Sequence, residues 1–123
     1  MDKRFYITTP IYYPSAKPHM GHAYSSIVAD FFARFKKMDG FDVYFLTGTD
    51  EHGLKIQRAA EKKKIDTLKF CDEISQTFKN LSKTLNLTNT DFIRTTENRH
   101  KLSVQHLWNE LKKNDQIYLS KYS

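Results

Sequence analysis

The sequence predicts an α/β fold in which a parallel β-sheet is covered by helices on both faces. Short runs rich in β-branched and aromatic residues alternate with longer segments of helical periodicity, and loops with proline, glycine or aspartate separate them. Such alternation is typical of parallel sheets, because each return to the same edge of the sheet needs a crossover connection. The predicted order of elements is β-α-β-α-α-β-α-β.

The first predicted strand covers residues 4–10 and leads into a loop that contains all three prolines. A helix is then predicted from about Gly21 to Met38, because apolar residues recur there every three or four positions. The lysines at 36–37 suit the negative end of the helix dipole, and Gly40 suits a left-handed stop. The predicted apolar face consists of Ala23, Ile27, Phe31, Phe35 and Met38, widened by Val28 and Phe32.

The second half of the chain predicts a strand at 42–47, a basic helix at about 53–64 and a further helix that begins at Asp66. The apolar face of that further helix is predicted to contain Phe70, Ile74, Phe78, Leu81 and Leu85. A short strand follows at 91–96, where Thr96 can cap the next helix. The core face of this last helix is predicted at Val104, Leu107, Trp108 and Leu111, ahead of a β-like run at 116–123.

The composition is that of a globular protein with a basic surface. Of the 123 residues, 39% are hydrophobic and 14% are aromatic, which is not the composition of a disordered chain. Lysine and arginine number 20 against 14 acidic residues, and the net charge of +6 points to a phosphate-rich partner such as a nucleotide or RNA. The lysine clusters at 36–37 and 62–64 can equally be solvated helix ends.

The sequence also bears on location. No apolar run approaches the roughly 20 residues of a membrane helix, so no membrane partner is expected. The first ten residues resemble neither a secretory signal nor an organellar transit peptide. Cys71 is the only cysteine, so no internal disulfide can form, as is usual in a reducing compartment. We therefore expect a cytoplasmic protein.

Two histidines, His19 and His22, flank Gly21 where the first helix is predicted to begin. Ligands of open α/β sheets bind beyond the carboxyl ends of the strands, and a helix N-terminus attracts anions. Both rings can donate hydrogen bonds to phosphate, and Gly21 lets a flat ring approach the backbone. A metal site with His52 as a third ligand is an alternative, but no cysteine pair or carboxylate cluster supports zinc. On these residues alone, a purely structural histidine pair also stays open.

Three blocks of sequence give the histidine pair a context. They read "FYITTPIYYPSAKPHMGHAYSSIVADFFARF", "FLTGTDEHGLKIQRAA" and "DFIRTTENRH", in that order. Together they closely resemble the methionyl-tRNA synthetases, a family of class I aminoacyl-tRNA synthetases whose first signature has the form His-x-Gly-His. The resemblance covers essentially the whole chain. It implies the first half of a Rossmann-like nucleotide-binding domain at residues 1–115, with residues 116–123 beginning an inserted connective domain.

The resemblance implies an ATP site around the signature. His19 and His22 match the catalytic histidines that contact the ATP phosphates and stabilise the transition state of activation. Gly21 matches the glycine against which adenine packs, and Pro10 is expected in the same ATP-binding group. ATP would bring Mg²⁺ with it as a substrate complex, held mainly by phosphates and water.

A methionine pocket is implied beside the ATP site. Ile11 and Tyr13 match residues that line this pocket, and Asp50 matches the aspartate that binds the α-ammonium group. An aromatic wall suits the soft thioether of methionine. Asp50 can also be explained as a loop aspartate that bonds its own backbone, and residues 11–13 as a packed loop. Further residues expected near the pocket, without assigned roles, are Tyr12, His52 and Gly53.

By resemblance, the expected enzyme is a methionine–tRNA ligase with L-methionine, ATP and tRNA(Met) as partners. The methionine carboxylate attacks the α-phosphate of ATP, and the methionyl-adenylate then passes methionine to the terminal adenosine of the tRNA. The attacking carboxylate is already ionised at pH 7, so no serine, cysteine or general base is expected. Catalysis is expected from positioning and from donors placed where phosphate charge develops.

The sequence departs from the family in what it lacks. The second signature, Lys-Met-Ser-Lys-Ser, is absent, as are the later residues that close the methionine pocket and the anticodon-binding domain. Half of a parallel sheet leaves an unpaired edge and uncovered apolar faces, so the 123-residue chain alone is expected to be inactive. Two alternatives stay open: a small adenylyl- or cytidylyl-transferase, and a truncated, non-catalytic paralogue that binds tRNA or another partner.

Overall fold

The computed structural model of the protein describes residues 3–121. Within that range the chain forms three strands and four helices in the order β-α-β-α-α-β-α. They are β1 (Arg4–Thr8), α1 (Met20–Met38), β2 (Asp42–Thr49), α2 (Leu54–Lys63), α3 (Thr67–Thr84), β3 (Asp91–Arg94) and α4 (Asn98–Lys113). Each lies within a few residues of its predicted position.

The three strands form one parallel sheet in the order β1-β2-β3, which confirms the predicted α/β fold. In the central strand, Leu46 pairs with Thr8 on one side and with Asp91 on the other. Gly48 is required where β2 meets β3, because a Cβ at this position would lie 2.0 Å from the carbonyl oxygen of Ile93. The parallel arrangement brings the carboxyl ends of all three strands to one edge.

Helix α1 packs on the sheet through small side chains. Ala29 and Ala33 are buried against Phe45, whose exposed fraction is 0%. Alanine lets the helix lie close to the sheet, and the stripe of large residues is directed away from it. The predicted apolar face is therefore wrong apart from the buried Ala23. The large members are 39–88% exposed: Ile27, Val28, Phe31, Phe32, Phe35 and Met38.

A second hydrophobic cluster joins α2 and α3 to the loop after β1. Phe70, Ile74 and Phe78 are buried in it, as predicted for α3, whereas Leu81 and Leu85 are only partly buried. The other buried members of this cluster are Tyr12, Ile56, Ala60 and Cys71. Asp66 is the N-cap of α3, as predicted, and its side chain accepts a hydrogen bond from Lys69 N.

The packed helices α1, α2 and α3 lie on one face of the sheet. Phe92 of β3 packs against the second cluster, and its register partner Thr47 points to the same side as Phe45 because residues two apart in a strand share a face. On the opposite face, Tyr6 and Tyr44 are 62% and 44% exposed, so the predicted cover of that second face by helices stays a prediction.

Predictions about α4 are wrong in two respects. None of the described residues of this helix is buried, and Trp108 is 56% exposed, because no other element described between residues 3 and 121 packs on the predicted stripe. The exposed stripe also includes Val104, Leu107 and Leu111. The N-cap is Glu97 and not Thr96, since the Thr96 hydroxyl instead donates a hydrogen bond to Glu51.

The strand predicted at 116–123 is not found in its described part, residues 116–121, where no neighbouring described strand supplies backbone partners. Residues 122 and 123 of that prediction lie outside the described range. The assignment of 116–123 to an inserted domain stays a prediction. Between residues 3 and 121, no helix is both long enough and apolar enough to cross a membrane.

Candidate active site

The loop after β1 is fastened to the end of β2 by backbone hydrogen bonds. Tyr12 N donates to Gly48 O at 3.0 Å, and Asp50 N donates to Tyr12 O at 2.8 Å. Tyr12 and Thr49 form an isolated parallel bridge, so this segment stays paired with β2 beyond the end of β1. Residues 11–13 and Asp50, which were predicted to share a site from separate blocks of sequence, are therefore neighbours.

Tyr12 supports this loop from beneath. The side chain is 6% exposed, and its hydroxyl lies 2.8 Å from Ser26 Oγ on α1. The ring stacks on Phe78 with centroids 5.4 Å apart and meets the edge of His22 at 4.9 Å. In extended backbone, neighbouring side chains point to opposite sides. Accordingly, the residues on either side are 43% and 57% exposed: Ile11 and Tyr13.

His19 and His22 form a capping box at the N-terminus of α1. His19 is the N-cap, and its Nδ1 accepts a hydrogen bond from Gly21 N at 3.1 Å. His22 Nδ1 accepts one from His19 N, also at 3.1 Å. Because each Nδ1 accepts from a backbone N–H, each neutral ring carries its proton on Nε2 and can donate from that atom. Burial, with a contribution from nearby His19, lowers the pKa of His22 and favours its neutral form.

Gly21 makes the position of the His19 ring possible. A Cβ on Gly21 would lie 2.9 Å from Cε1 and 3.1 Å from Nδ1 of His19. The two histidine rings lie side by side, with centroids 3.9 Å apart. His19 is exposed and His22 is partly buried, so neither ring is closed off from solvent.

The histidines and the loop line a cleft of about 400 Å³. Its lining residues are Pro10, Ile11, Tyr12, Tyr13, Ser15, Ala16, Lys17, His19, His22 and Ser25. Six of the predicted site residues are thus brought together around one opening. The other predicted site residues do not line the cleft: Asp50, Gly21, His52 and Gly53. Asp50 is nevertheless adjacent to it through the backbone hydrogen bond to Tyr12.

A larger groove of about 580 Å³ begins at the same loop, since residues 15–17 line both cavities. Its remaining walls come from α2 and α3, and its basic side chains are Lys17, Lys55, Arg58, Lys62 and Lys63. Neither histidine lines this groove. The chemistry expected of the histidine pair therefore belongs to the smaller cleft.

Asp50 lies at the end of β2 with a partly exposed side chain. Its Oδ1 accepts hydrogen bonds from His52 N and from the Thr95 hydroxyl, both at 3.4 Å. The first contact is the local loop bond that the sequence left open as an alternative. Among residues 3–121, Oδ2 has no hydrogen-bond partner and is free for a ligand.

Gly53, another predicted site residue, is the N-cap of α2 with a φ of 117°, a backbone conformation that suits glycine.

Next to Asp50, the Glu51 carboxylate is fully enclosed. Arg94 Nε and Nη2 donate to its two oxygens at 2.7 and 2.9 Å, and the Thr49 hydroxyl donates at 2.8 Å. Burial alone would raise the pKa of Glu51, but the hydrogen bonds from Arg94 and the threonine hydroxyls hold it below its ordinary value. Arg94 Nη2 also binds Asp72 at 2.6 Å, so the pair ties the ends of β2 and β3 to α3.

Three residues at this edge of the sheet had no predicted role: Glu51, Arg94 and Thr95. All three belong to blocks that carry the family resemblance, but neither block gave them a role. The available signal was position: Arg94 and Thr95 follow the β3 run as Asp50 follows β2. The ends of neighbouring parallel strands meet at one edge of the sheet, so these side chains could have been expected to lie together.

Among residues 3–121, no three His, Cys, Asp or Glu side chains lie close enough together to hold a metal ion. His52, the third ligand considered for a metal, has its Nε2 3.4 Å from Thr95 O. Burial raises the pKa of the Cys71 thiol to about 11, so this cysteine is neither a thiolate ligand nor a nucleophile near pH 7.

Known proteins resemble this chain in sequence and in fold. The family model described as tRNA synthetases class I (M) matches residues 5–123. The methionine–tRNA ligase of Listeria monocytogenes is 52% identical over 118 residues, which are 96% of this chain and 18% of that protein. The enzyme of the same name from Rickettsia conorii is also 52% identical, over 96% of this chain and 23% of its own length. The chain thus spans about a fifth of these relatives.

A solved structure agrees with these matches. The Mycobacterium tuberculosis methionyl-tRNA synthetase bound by methionyl-adenylate superposes with a TM-score of 0.94 at 44% identity. The superposition covers 98% of this chain and 24% of that one. Sequence and fold agree over nearly all of the chain, and the chain therefore belongs to the methionyl (M) family of class I tRNA synthetases.

Proposed function

We propose that this chain is part of an enzyme that activates L-methionine with ATP and transfers it to tRNA(Met). The hydrogen bond from Asp50 N to Tyr12 O, at 2.8 Å, carries the proposal. Through it, a carboxylate suited to an ammonium group lies beside the loop that borders the cleft of His19 and His22. The names of the relatives, and the methionyl-adenylate bound to the Mycobacterium protein, support the same substrates.

Methionine is recognised at both of its ends. Asp50 Oδ2, which has no hydrogen-bond partner among residues 3–121, accepts a hydrogen bond from the α-ammonium group. Ile11 and Tyr13, both exposed on the cleft side of the loop, contact the thioether chain, for which an apolar and aromatic wall is well suited. The buried Tyr12 hydroxyl fixes the position of the loop relative to α1 through its hydrogen bond with Ser26.

ATP binds at the N-terminus of α1. The Nε2–H groups of His19 and His22 donate to the phosphates, and the positive end of the helix dipole adds to the attraction. Adenine packs near Gly21, with Pro10 on the cleft wall. Mg²⁺ enters with ATP as part of the substrate and needs no dedicated protein site.

Activation is a substitution at the α-phosphorus. A carboxylate oxygen of methionine forms the new P–O bond, and pyrophosphate leaves with the electron pair of the broken one. The carboxylate is ionised at pH 7, so no general base is required. The histidine donors stabilise the charge that develops on the phosphate oxygens, and groups of this kind contribute about 2–4 kcal/mol each.

In the second step, a hydroxyl of the terminal adenosine of the tRNA attacks the methionyl carbonyl, and AMP leaves. Both steps require parts of the enzyme beyond the residues described. ATP and tRNA are available in the cytoplasm, and we propose that the enzyme acts there.

Pyrophosphate exchange into ATP tests the proposal. The full-length protein that contains this chain should exchange labelled pyrophosphate in the presence of methionine and not of leucine, isoleucine or valine. Exchange without any amino acid, or nucleotidyl transfer to an acceptor other than methionine, would contradict it and would favour the adenylyl- or cytidylyl-transferase alternative. Binding of tRNA without any exchange would favour the non-catalytic paralogue.

A further inference from the structure

Thr95 is bonded to four consecutive residues at the end of β2. Its N donates to Thr49 O at 3.1 Å, and its hydroxyl lies 3.4 Å from Asp50 Oδ1. Thr95 Oγ1 accepts a hydrogen bond from Glu51 N at 2.8 Å, and the carbonyl oxygen of Thr95 lies 3.4 Å from His52 Nε2. Thr95 itself is 7% exposed. One buried threonine thus holds the whole segment that presents Asp50.

The direction of the Thr95 hydroxyl proton follows from these contacts. Oγ1 accepts from Glu51 N, so the single hydroxyl proton must be donated elsewhere. Asp50 Oδ1, at 3.4 Å, is the acceptor that the described residues offer. Hydrogen bonds of this kind are often long without substrate and shorten when it binds.

One carboxylate oxygen of Asp50 is therefore held, and the other faces no protein donor among the described residues. We propose that Thr95 is a positioning residue that aims Asp50 Oδ2 at the ammonium group of methionine. This inference rests on the proposed function, because methionine is the ligand that brings the ammonium group.

The neighbouring carboxylate does not compete for the same cation. The Glu51 side chain is 0% exposed and is paired with Arg94 at 2.7 Å. This pair also anchors the two segments, since Arg94 precedes Thr95 and Glu51 follows Asp50. Removing the Thr95 hydroxyl costs the bond from Glu51 N, but the ion pair and the bond from Thr95 N to Thr49 O should keep the two segments together. Asp50 Oδ1 then keeps only the bond from His52 N, so the carboxylate is less firmly oriented.

Substitutions in the full-length enzyme test this role. Thr95→Val keeps the shape of the side chain and removes the hydroxyl. In pyrophosphate exchange, its KM for methionine should rise roughly 10- to 100-fold, as expected for a misplaced binding group, with the KM for ATP unchanged. Thr95→Ser, which restores the hydroxyl, should return the methionine KM to within about threefold of the wild-type value.

Thr90→Val is the matched control. The Thr90 hydroxyl accepts from Phe45 N at 3.0 Å, so this variant loses the same kind of backbone bond to β2, from the residue just before β3. Because Thr90 is exposed whereas Thr95 is buried, Thr90→Val should lower the thermal unfolding midpoint no more than Thr95→Val does, and it should leave both KM values unchanged. Thr95→Ala, measured in parallel, also lacks the hydroxyl and replaces the valine variant if that variant does not fold.

An unchanged methionine KM in the variants without the hydroxyl would overturn the proposal, and so would an equal rise in Thr90→Val. Asp50→Asn in the same assay distinguishes a failure of the proposed Asp50 role from a failure of the Thr95 role alone. If Asp50→Asn leaves the methionine KM unchanged, the proposed role of Asp50 fails, and the role of Thr95 fails with it. If Asp50→Asn raises the KM and loss of the Thr95 hydroxyl does not, only the positioning role is wrong.

Discussion

The Thr95 hydroxyl lies 3.4 Å from Asp50 Oδ1, although 45 residues separate the two positions along the chain. They meet because β2 and β3 are neighbouring parallel strands that end at the same edge of the sheet. The loop after β1 joins them there through the bond from Asp50 N to Tyr12 O. The candidate site is therefore assembled by the sheet topology and does not belong to any one loop.

Asp50→Asn in the full-length enzyme should weaken methionine binding by about 2–5 kcal/mol, the usual range when one partner of a hydrogen-bonded charge pair is removed. The KM for ATP should change little. Asp42→Asn, at the exposed start of the same strand, is the control and should leave both constants unchanged. Steady-state pyrophosphate exchange measures all of these constants, and equal effects of the two variants would contradict the role of Asp50.

His22→Ala should slow activation much more than it weakens methionine binding. The loss of one donor to a developing oxyanion lowers kcat by roughly 10²–10³-fold. The change also removes the capping bond to His19 N, which should cost about 0.5–2 kcal/mol of stability. Pre-steady-state formation of the adenylate separates the rate from affinity. His106→Ala, on the exposed α4, should leave the rate unchanged, and a comparable loss there would show that the effect is not specific.

Gly21→Ala should lower kcat without unfolding the enzyme. The new Cβ would lie 2.9 Å from Cε1 of His19, so the ring must move and its bond from Gly21 N is disturbed. Alanine is favoured over glycine in helices by up to about 1 kcal/mol, which offsets part of the clash. Thermal unfolding and pyrophosphate exchange together check this, with a kcat reduced at least roughly tenfold at a nearly unchanged midpoint. Full activity would show that the ring position does not matter.

Glu51→Gln should destabilise the protein, because removing one charge of a buried ion pair leaves the other without its partner, at a cost of about 3–5 kcal/mol. The pKa of Glu51 is held below its ordinary value, so the stability that it contributes is present above that ordinary value and is lost as the pH falls through the lowered one. Wild-type melting temperatures should therefore fall more steeply than those of the variant on acidification below about pH 4.5.

Glu110→Gln provides the comparison for that experiment. Its partner, Lys113, is 71% exposed, and pairs of this kind contribute about 0–1 kcal/mol. The melting temperature of Glu110→Gln should follow that of the wild type at every pH. Indistinguishable acid profiles of wild type and Glu51→Gln would show that the buried pair does not control the acid stability.

The 123-residue chain alone should not support methionine-dependent pyrophosphate exchange. The described part of α1 presents Phe31 and Phe35 to solvent at 64% and 53%, and Tyr6 on the open face of the sheet is 62% exposed. Apolar surface of this kind favours self-association. Light scattering should therefore detect oligomers of the isolated chain, and a monomer with full exchange activity would refute the expectation.

Much of the fold could be predicted from periodicity, but the packed face of a helix could not always be. On α3 the large apolar residues are the ones that pack, so Phe70 and Ile74 were placed correctly. On α1, Ala29 and Ala33 pack on the sheet instead. Alanine hardly contributes to an apolar pattern, so the pattern located the helix and misjudged which side meets the sheet.

The candidate site divides in a similar way. His19 and His22 lie within one helical turn, so their proximity followed from spacing, and the loop–Asp50 neighbourhood was implied by resemblance. The contacts of Thr95 with Asp50 and of Arg94 with Glu51 depend on the register of two strands, which local sequence does not encode. Thr96 was misassigned as a cap for the same reason, because its hydroxyl has a partner across the sheet edge.

A crystal structure of the full-length enzyme with a non-hydrolysable methionyl-adenylate analogue is the most direct test that the strand ends and the start of α1 form one methionine and ATP site. The ammonium group should lie within about 3.2 Å of Asp50 Oδ2. The phosphate should lie within reach of His19 or His22 Nε2, and the thioether should contact Ile11 or Tyr13. An analogue bound elsewhere, or an ammonium group that contacts neither oxygen of Asp50, would contradict the proposed site.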